Sequence, residues 1–292
     1  KDRVLFERLV AFPRGREELM YERIYKDEDY FYSYGEKLEG GEELFRTWEK
    51  LTGPRVLFLA QAVANSSEKL VQLKTPYSWF TDEVVSLLSG MRGLIPISQR
   101  FSFRNSAYTD QLAEFLRDID VPISKIVTEH VEPSSDVKRS TRESVRDSSH
   151  KMTLTHLTAL GEAEFSFEEQ SEGTRNLIGF WLPWFMRETA DFGWRVVIVD
   201  ELDSSLHPKL VEALVSRHLA SDDDAQLIFT THDTHLMDAK MLRRDQIWIT
   251  ERDADGATNL YSVHDFAGRE GEAIEKRYFE GRYRGLPILK VQ

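Results

Sequence analysis

Apolar positions along the chain change period several times, and each change predicts a different kind of element. Over residues 3–34, "RVLFERLVAF" and "ELMYERIYKDEDYFYSYG" mix aromatic, aliphatic and charged residues in partial alternation, with Pro13-Arg14-Gly15 between them. Period two interrupted by a turn predicts strands in a sheet with one wet face. Residues 43–50 carry helical spacing, Gly53-Pro54 breaks it, and "RVLFLAQAVAN" reads as a short buried segment of either type. From Tyr77 to about Asp120 the spacing turns helical in "WFTDEVVSLLSGM" and "YTDQLAEFLRDID", and Pro122 stops the second run.

Beyond that point "EPSSDVKRSTRESVRDSSHK" packs six serines between Ser134 and Ser149 and few apolar residues. Such composition suits a flexible surface loop; a basic loop that touches nucleic acid or a partner is the alternative. "MTLTHLTALGEAEFSFEE" then alternates like a hairpin around Gly161. The pattern goes on as helix 174–189, strand 195–200, helix 208–219, strand 226–231, a short helix near 234–241 and strand 246–251. Asp255-Gly256 predicts a tight turn into strand 258–263, and a last helix covers about 268–280. Strands alternating with helices predict a mostly parallel α/β sheet. No internal repeat interrupts the series.

Composition narrows the classes. A chain of 292 residues, 41% hydrophobic and 30% charged, can bury one large core or two moderate ones. No run approaches the roughly 18 apolar residues of a membrane span, and no signal-peptide pattern opens the chain. With no cysteine there are no disulfides and no thiolate zinc sites, which fits a reducing, cytoplasmic setting. A net charge of −12 argues against a uniformly basic nucleic-acid binder but allows a local basic stripe.

Three stretches carry candidate chemistry. In "VVIVDELDSSLHP" a run of β-branched residues, the pattern of a buried parallel strand, ends at Asp200 and Glu201. Ligands of open α/β sheets bind at strand carboxyl ends. There Asp200 is placed to hold Mg²⁺ and Glu201 to polarise a water that attacks a γ-phosphate; an ordinary acidic turn is the other reading. In "QLIFTTHDTHLMD" His232 stands just past the next strand, where a neutral imidazole donates to a phosphate oxygen or merely serves the turn. In "EEQSEGTRNLIGF" Ser171, Gly173 and Thr174 open an apolar helix, so they either receive an anion or form a plain N-cap. An acid pair and a histidine on adjacent strand ends are harder to explain by packing than either alone.

Read in order, these stretches resemble the nucleotide-binding heads of ABC-type P-loop ATPases. "SEGT" is similar to the signature loop, "VVIVDE" to the Walker B strand with its catalytic glutamate, "SSLHP" to the D-loop and "TTHD" to the switch-histidine strand, at gaps of roughly thirty residues. The finer resemblance is to bacterial AAA-type ATPases related to the OLD and SMC heads, as in RloA-like and PARIS-type phage-defence systems. It rests on "DELDSSLHP", "AQLIFTTHDTHLMD", "RRDQIWITERDADGATNLYSV" and "GRYRGLPIL", with "AFPRGREELMYER" and "LFLAQAVANSSE" near the start.

The resemblance implies an ABC-ATPase-like P-loop sheet with an N-terminal antiparallel β region and a helical insertion. The expected parts are residues 1–76, a β-rich piece of the head; 77–132, the helical insertion; 133–151, the polar loop; and 152–292, the C-terminal lobe. It also implies ATP and Mg²⁺ as ligands, with Asp200 in the metal shell and Glu201 and His232 catalytic. Ser171, Gly173 and Thr174 would serve a partner head's nucleotide, and Ser204 and Ser205 would line a dimer seam. Implied partners are a second ATPase head, in a homodimer or higher oligomer, and an effector nuclease or toxin subunit, with DNA or a phage protein as further ligands. Arg243, Arg244 and Arg282 belong to the same pattern and suit either phosphate or a carboxylate.

One departure stands out: no G-x-x-x-x-G-K-[ST] occurs in the 292 residues, and "GEKLEGGEEL" is no substitute. The expectation is that the P-loop part lies upstream of Lys1 and that this stretch alone does not hydrolyse ATP. A pseudo-ATPase without a P-loop, a DNA repair or recombination head, and a non-catalytic scaffold that sequesters a toxin are the rival expectations.

Overall fold

The computed structural model describes residues 3–67, 70–130, 150–188, 195–222, 224–238, 240–269 and 271–286. Backbone contacts divide the chain into Lys1–Val85 and Ser86–Gln292, and each unit is built around its own apolar cluster. The polar stretch expected to form a loop lies almost entirely outside the described residues.

In the first unit, β1 (Phe6–Ala11), β2 (Glu18–Lys26) and β3 (Asp29–Tyr34) form an antiparallel sheet in that order. Asp27 and Glu28 both take positive φ between β2 and β3, the backbone of a two-residue hairpin turn that follows the strands' twist. Helices α1 (Glu42–Leu51), α2 (Phe58–Ala64) and α3 (Val71–Ser78) follow. The ambiguous segment 55–65 is therefore mostly helix. Tyr21, Trp48, Phe58 and Leu73 form the centre of this unit's core.

A polar network is buried beside that core. The Glu7 carboxylate accepts the Tyr21 hydroxyl at 2.6 Å and the backbone amides of Phe58 and Leu59 at 2.7 and 3.0 Å. It thereby satisfies orphan donors at the start of α2. Arg23 is fully buried; its Nη1 lies 3.9 Å from the same carboxylate, and its guanidinium donates to Val56 O and Gly53 O. The cation sits 3.9 Å over the Tyr30 ring. Burial, then the hydrogen bond to Glu7, pushes the Tyr21 hydroxyl's pKa far above its ordinary value, so the phenol stays a proton donor. The expectation that β-strand charges face water fails at Arg23, because carbonyls, an aromatic ring and Glu7 replace its hydration.

The second unit is organised by α6 (Glu172–Glu188). Leu177, Ile178, Phe180, Trp181, Leu182, Trp184 and Phe185 are all buried, the pattern of a helix enclosed on every side. Helices α4 (Ile95–Arg104) and α5 (Ser106–Asp118) pack on it: Ser98 of α4 donates to Ile178 O at 3.0 Å, and Phe115 of α5 stacks on Trp181 at 4.8 Å. Arg217 of α7 (Pro208–Leu219) lies 5.2 Å over the same indole.

A three-stranded sheet runs in the order β4 (Val84–Met91), β8 (Val196–Val199), β9 (Gln226–Phe229). β8 and β9 are parallel, with Val196 opposite Gln226 and Val199 opposite Phe229. The helical reading of "WFTDEVVSLLSGM" is corrected here. Trp79–Glu83 is a π-helical turn, and the rest is β4, with Leu87 buried and Leu88 exposed in alternation. A short apolar run fits either period, and pairing beside β8 decides it. The region expected as a helical insertion thus also carries β4 and β5.

β5 (Ile123–His130), β6 (His150–Thr158) and β7 (Gly161–Ser166) form an antiparallel meander. β10 (Trp248–Arg252) and β11 (Thr258–Ser262) form a hairpin whose cluster of Ile247, Ile249, Val263 and Tyr283 includes Ile274 of α8 (Ile274–Phe279). The fold class is mixed α/β. Among the described residues β8 and β9 pair in parallel, and the strands fall into four small sheets, three of them built from antiparallel pairs, rather than one mostly parallel sheet. No described helix is long and apolar enough to cross a membrane.

Replacing Glu7 by Ala is expected to destabilise the first unit by about 3–5 kcal/mol, because Arg23 is left buried without its counter-charge. Glu7→Gln keeps an acceptor oxygen and should lose less. Urea denaturation of both variants checks the order, and equal losses would argue that the charge contributes nothing.

Candidate functional site

The candidate site is built where β8 and β9 end side by side. Pairing does not stop with the strands: Thr230 N donates to Val199 O and Leu202 N to Thr230 O, both at 3.0 Å, and Asp200 N donates to Leu87 O of β4 at 3.1 Å. Asp200 and Glu201 therefore leave the sheet beside Thr230 and Thr231, with His232 next. Glu201 has φ 52° and Ser205 φ 60°, a left-handed conformation uncommon outside glycine, and both residues are exposed. The carboxylate of Glu201 and the imidazole of His232 make no side-chain hydrogen bond among the described residues. His232 N lies 3.4 Å from Asp203 Oδ1, which ties the histidine's backbone to the loop after Glu201.

Asp200 is differently held. Its Oδ1 accepts the Thr230 hydroxyl at 2.5 Å. Its second oxygen has no partner among the described residues. No cluster of three or more His, Asp or Glu suited to a metal occurs among those residues. One carboxylate with a free oxygen does not make a closed cage of the kind calcium or structural zinc takes. It does fit Mg²⁺, which keeps several waters and takes one or two carboxylates together with substrate phosphates.

Ser171, Gly173 and Thr174 stand at the start of α6. The Ser171 and Thr174 hydroxyls bond each other at 2.8 Å, and Ser171 Oγ accepts the Thr174 amide at 3.1 Å, which is N-cap geometry. The plain cap reading is thus realised. Thr174 is buried and Ser171 exposed. Arg92 pairs with Glu172 beside them. Gly173 meets the loop after Glu201: a Cβ there would lie 2.7 Å from Ser205 O. Asn176 Nδ2 also donates to Ser204 O at 3.1 Å. The structure therefore joins the α6 start to Ser204 and Ser205, and joins Asp200 and Glu201 to Thr230, just past the end of β9. The 201–206 loop belongs to both groups.

Past His232, Asp233 is nearly enclosed, its side chain 6% exposed. Its Oδ1 accepts the His235 amide at 3.0 Å and lies 2.8 Å from His235 Nδ1. Thr234 Oγ1 donates to Glu275 of α8 at 2.8 Å. The short helix expected near 234–241 is a 3-10 turn, Thr234–Met237, whose first two residues are anchored by these bonds. The hydrogen bond to Asp233, then its charge and that of Glu275, hold the His235 pKa above its ordinary value, against the opposing pushes of desolvation and of Lys209. Arg243, Arg244 and Arg282 pair with Asp245, Glu272 and Glu280, so the carboxylate reading holds for all three. Thr230, Asp203, Asn176 and Asp233 escaped sequence reading. Thr230 alone had a signal: a hydroxyl one residue past a strand that runs parallel to the one ending in the acids.

Residues 7–238 match the model of a family of AAA domains whose description also names the AbiEii toxin and the type IV TA system. The chain belongs to this AAA family. No curated protein matches the chain. The matched span of the AAA domain contains every site residue named above from Ser171 to Asp233 and ends before β10. AAA domains of this kind are P-loop ATPases, a family whose members bind nucleotide.

Gly173→Ala should destabilise the second unit by about 1–3 kcal/mol through overpacking on Ser205 O, although Gly to Ala within a helix ordinarily stabilises by about 1 kcal/mol. Thermal denaturation reads the sign directly. His235 binds its proton more tightly folded than unfolded, so its anchoring of the turn is complete below the unfolded value near 6.5 and is lost as pH rises through the higher folded value. An NMR titration is expected to place its midpoint above 6.5, and Asp233→Asn to bring it down.

Proposed function

We propose that the chain is part of an ATP-binding and ATP-hydrolysing subunit of a prokaryotic anti-phage defence system, in which nucleotide-driven engagement of two heads controls an effector nuclease. The observation that carries the nucleotide part is the pairing of β8 and β9, which sets Asp200 and Glu201 beside the strand end leading to His232 within an AAA domain. In this reading Glu201, exposed and without a hydrogen-bonded partner for its carboxylate, takes the proton of the attacking water. His232 donates to an oxygen of the γ-phosphate. Asp200 would hold the Mg²⁺ shell, and the bound ion would supply charge neutralisation on the phosphate oxygens. This reading assigns no phosphate-cradling loop to these 292 residues, which hold no G-x-x-x-x-G-K-[ST]. Ser171, Gly173 and Thr174 face a partner head's nucleotide, and Ser204 and Ser205 lie at the seam between heads. The OLD-related, RloA-like and PARIS-type resemblance supports the defence setting.

The family's description favours a second reading of the partner, in which the effector is a toxin held in check by the ATPase. Co-purification separates the two: a nuclease supports the first and a non-nuclease toxin the second. In the full-length protein, Glu201→Gln is expected to cut ATP turnover by at least about 10²-fold, the low end for a general base, while ATP binding persists. Turnover at the wild-type rate would sink the assignment.

A further inference from the structure

One hydroxyl serves both acids of the site. Thr230 Oγ1 donates its proton to Asp200 Oδ1 at 2.5 Å and accepts the backbone amide of Glu201 at 2.8 Å. A hydroxyl has one proton and two lone pairs, so this arrangement has a fixed polarity: the proton goes to the carboxylate and a lone pair to the amide. The amide belongs to a residue at φ 52°, and such a backbone persists only when its surroundings over-determine it. Backbone bonds on either side, Thr230 N to Val199 O and Leu202 N to Thr230 O, keep the hydroxyl in register with the acid pair. Thr230 itself is exposed, so its hydroxyl is not there to fill the core.

We propose that Thr230 is a positioning residue. Its hydroxyl fixes the carboxylate of Asp200 and the left-handed backbone of Glu201 together, and it does so from the strand that delivers His232 two residues later. The two acids and the histidine are therefore set by one strand end rather than separately. The proposal rests on the reading of Asp200 and Glu201 as the nucleotide-processing pair. It adds that their geometry depends on a residue to which that reading gives no contact with the phosphate or the attacking water.

Thr230→Val keeps the branched shape and removes both hydrogen bonds; Thr230→Ser keeps the hydroxyl. In the nucleotide-free full-length protein, hydrogen exchange at the Glu201 amide is expected to speed up by up to about tenfold in the Val variant, the worth of one net hydrogen bond, and to return close to wild type in the Ser variant. In ATP turnover the Val variant is expected to lose about 10- to 100-fold in kcat, the usual effect of removing a partner that orients a ligand residue, with KM for ATP little changed and with the Ser variant restoring the rate. Wild-type kcat in Thr230→Val overturns the proposal, whether or not exchange changes, provided Glu201→Gln abolishes turnover in the same assay. If Glu201→Gln also turns over normally, the reading of the site fails and this proposal falls with it. A Ser variant as slow as the Val variant overturns the role of the hydroxyl.

Discussion

The parallel register of β8 on β9 is the constraint on which the site depends. Val196, Val197 and Val199 are buried although successive side chains point to opposite faces, so β8 is covered on both sides, and a slip that pushed a valine past the end of the sheet would expose it. Burying one such side chain is worth roughly 1.5–3 kcal/mol, against about 1 kcal/mol net for a hydrogen bond. The valines, not the polar ends, therefore decide which residues meet. Once Val199 is opposite Phe229, Asp200 must emerge beside Thr230, and polar bonds then refine a placement that hydrophobic burial has already made.

A second constraint fixes the other half of the site. Because α6 is enclosed along its length, its N-terminus cannot move without disturbing the core, and the residues resting on it inherit that rigidity. Gly173 admits Ser205 O at a distance no side chain would allow, and Asn176 holds the next carbonyl. The Arg92–Glu172 pair at the same helix end is largely exposed and adds at most about 1 kcal/mol. Packing beneath the helix supports its start far more than charge above it.

Much of this was legible in the chain and some was not, for physical reasons. β8, α6, α7 and the β10–β11 hairpin announce themselves through period, Pro208 and Asp255-Gly256, since each signal acts within a few residues. "VVSLLSGM" misled because its spacing suits a helix face as well as a strand, and its partner β8 lies over a hundred residues away in sequence. Arg23 misled because a strand arginine usually faces water, and the Tyr30 ring and the loop carbonyls that replace its hydration are visible only in three dimensions. Arg243, Arg244 and Arg282 left phosphate and carboxylate equally open until their partners Asp245, Glu272 and Glu280 were placed. Asp200, Glu201 and His232 were found as residues, but the hydroxyl that joins them is a property of register.

The acids around the strand ends also differ in how far each is already committed. Asp203 receives the His232 amide and Asp233 the His235 amide and ring, each through Oδ1, so one oxygen of each is engaged by the loop that follows the strand end. Asp200 shares one oxygen with Thr230 and keeps the other. Glu201 keeps both. In the proposed reading this gradient is a division of labour. A metal ligand must present an oxygen in a fixed direction, which suits the carboxylate whose rotamer is held. A proton acceptor must meet a water whose position is set by the substrate, which suits the carboxylate left free to follow it. Two adjacent residues of the same chemistry thus acquire different roles from a single threonine, because it holds the side chain of one and only the backbone of the other.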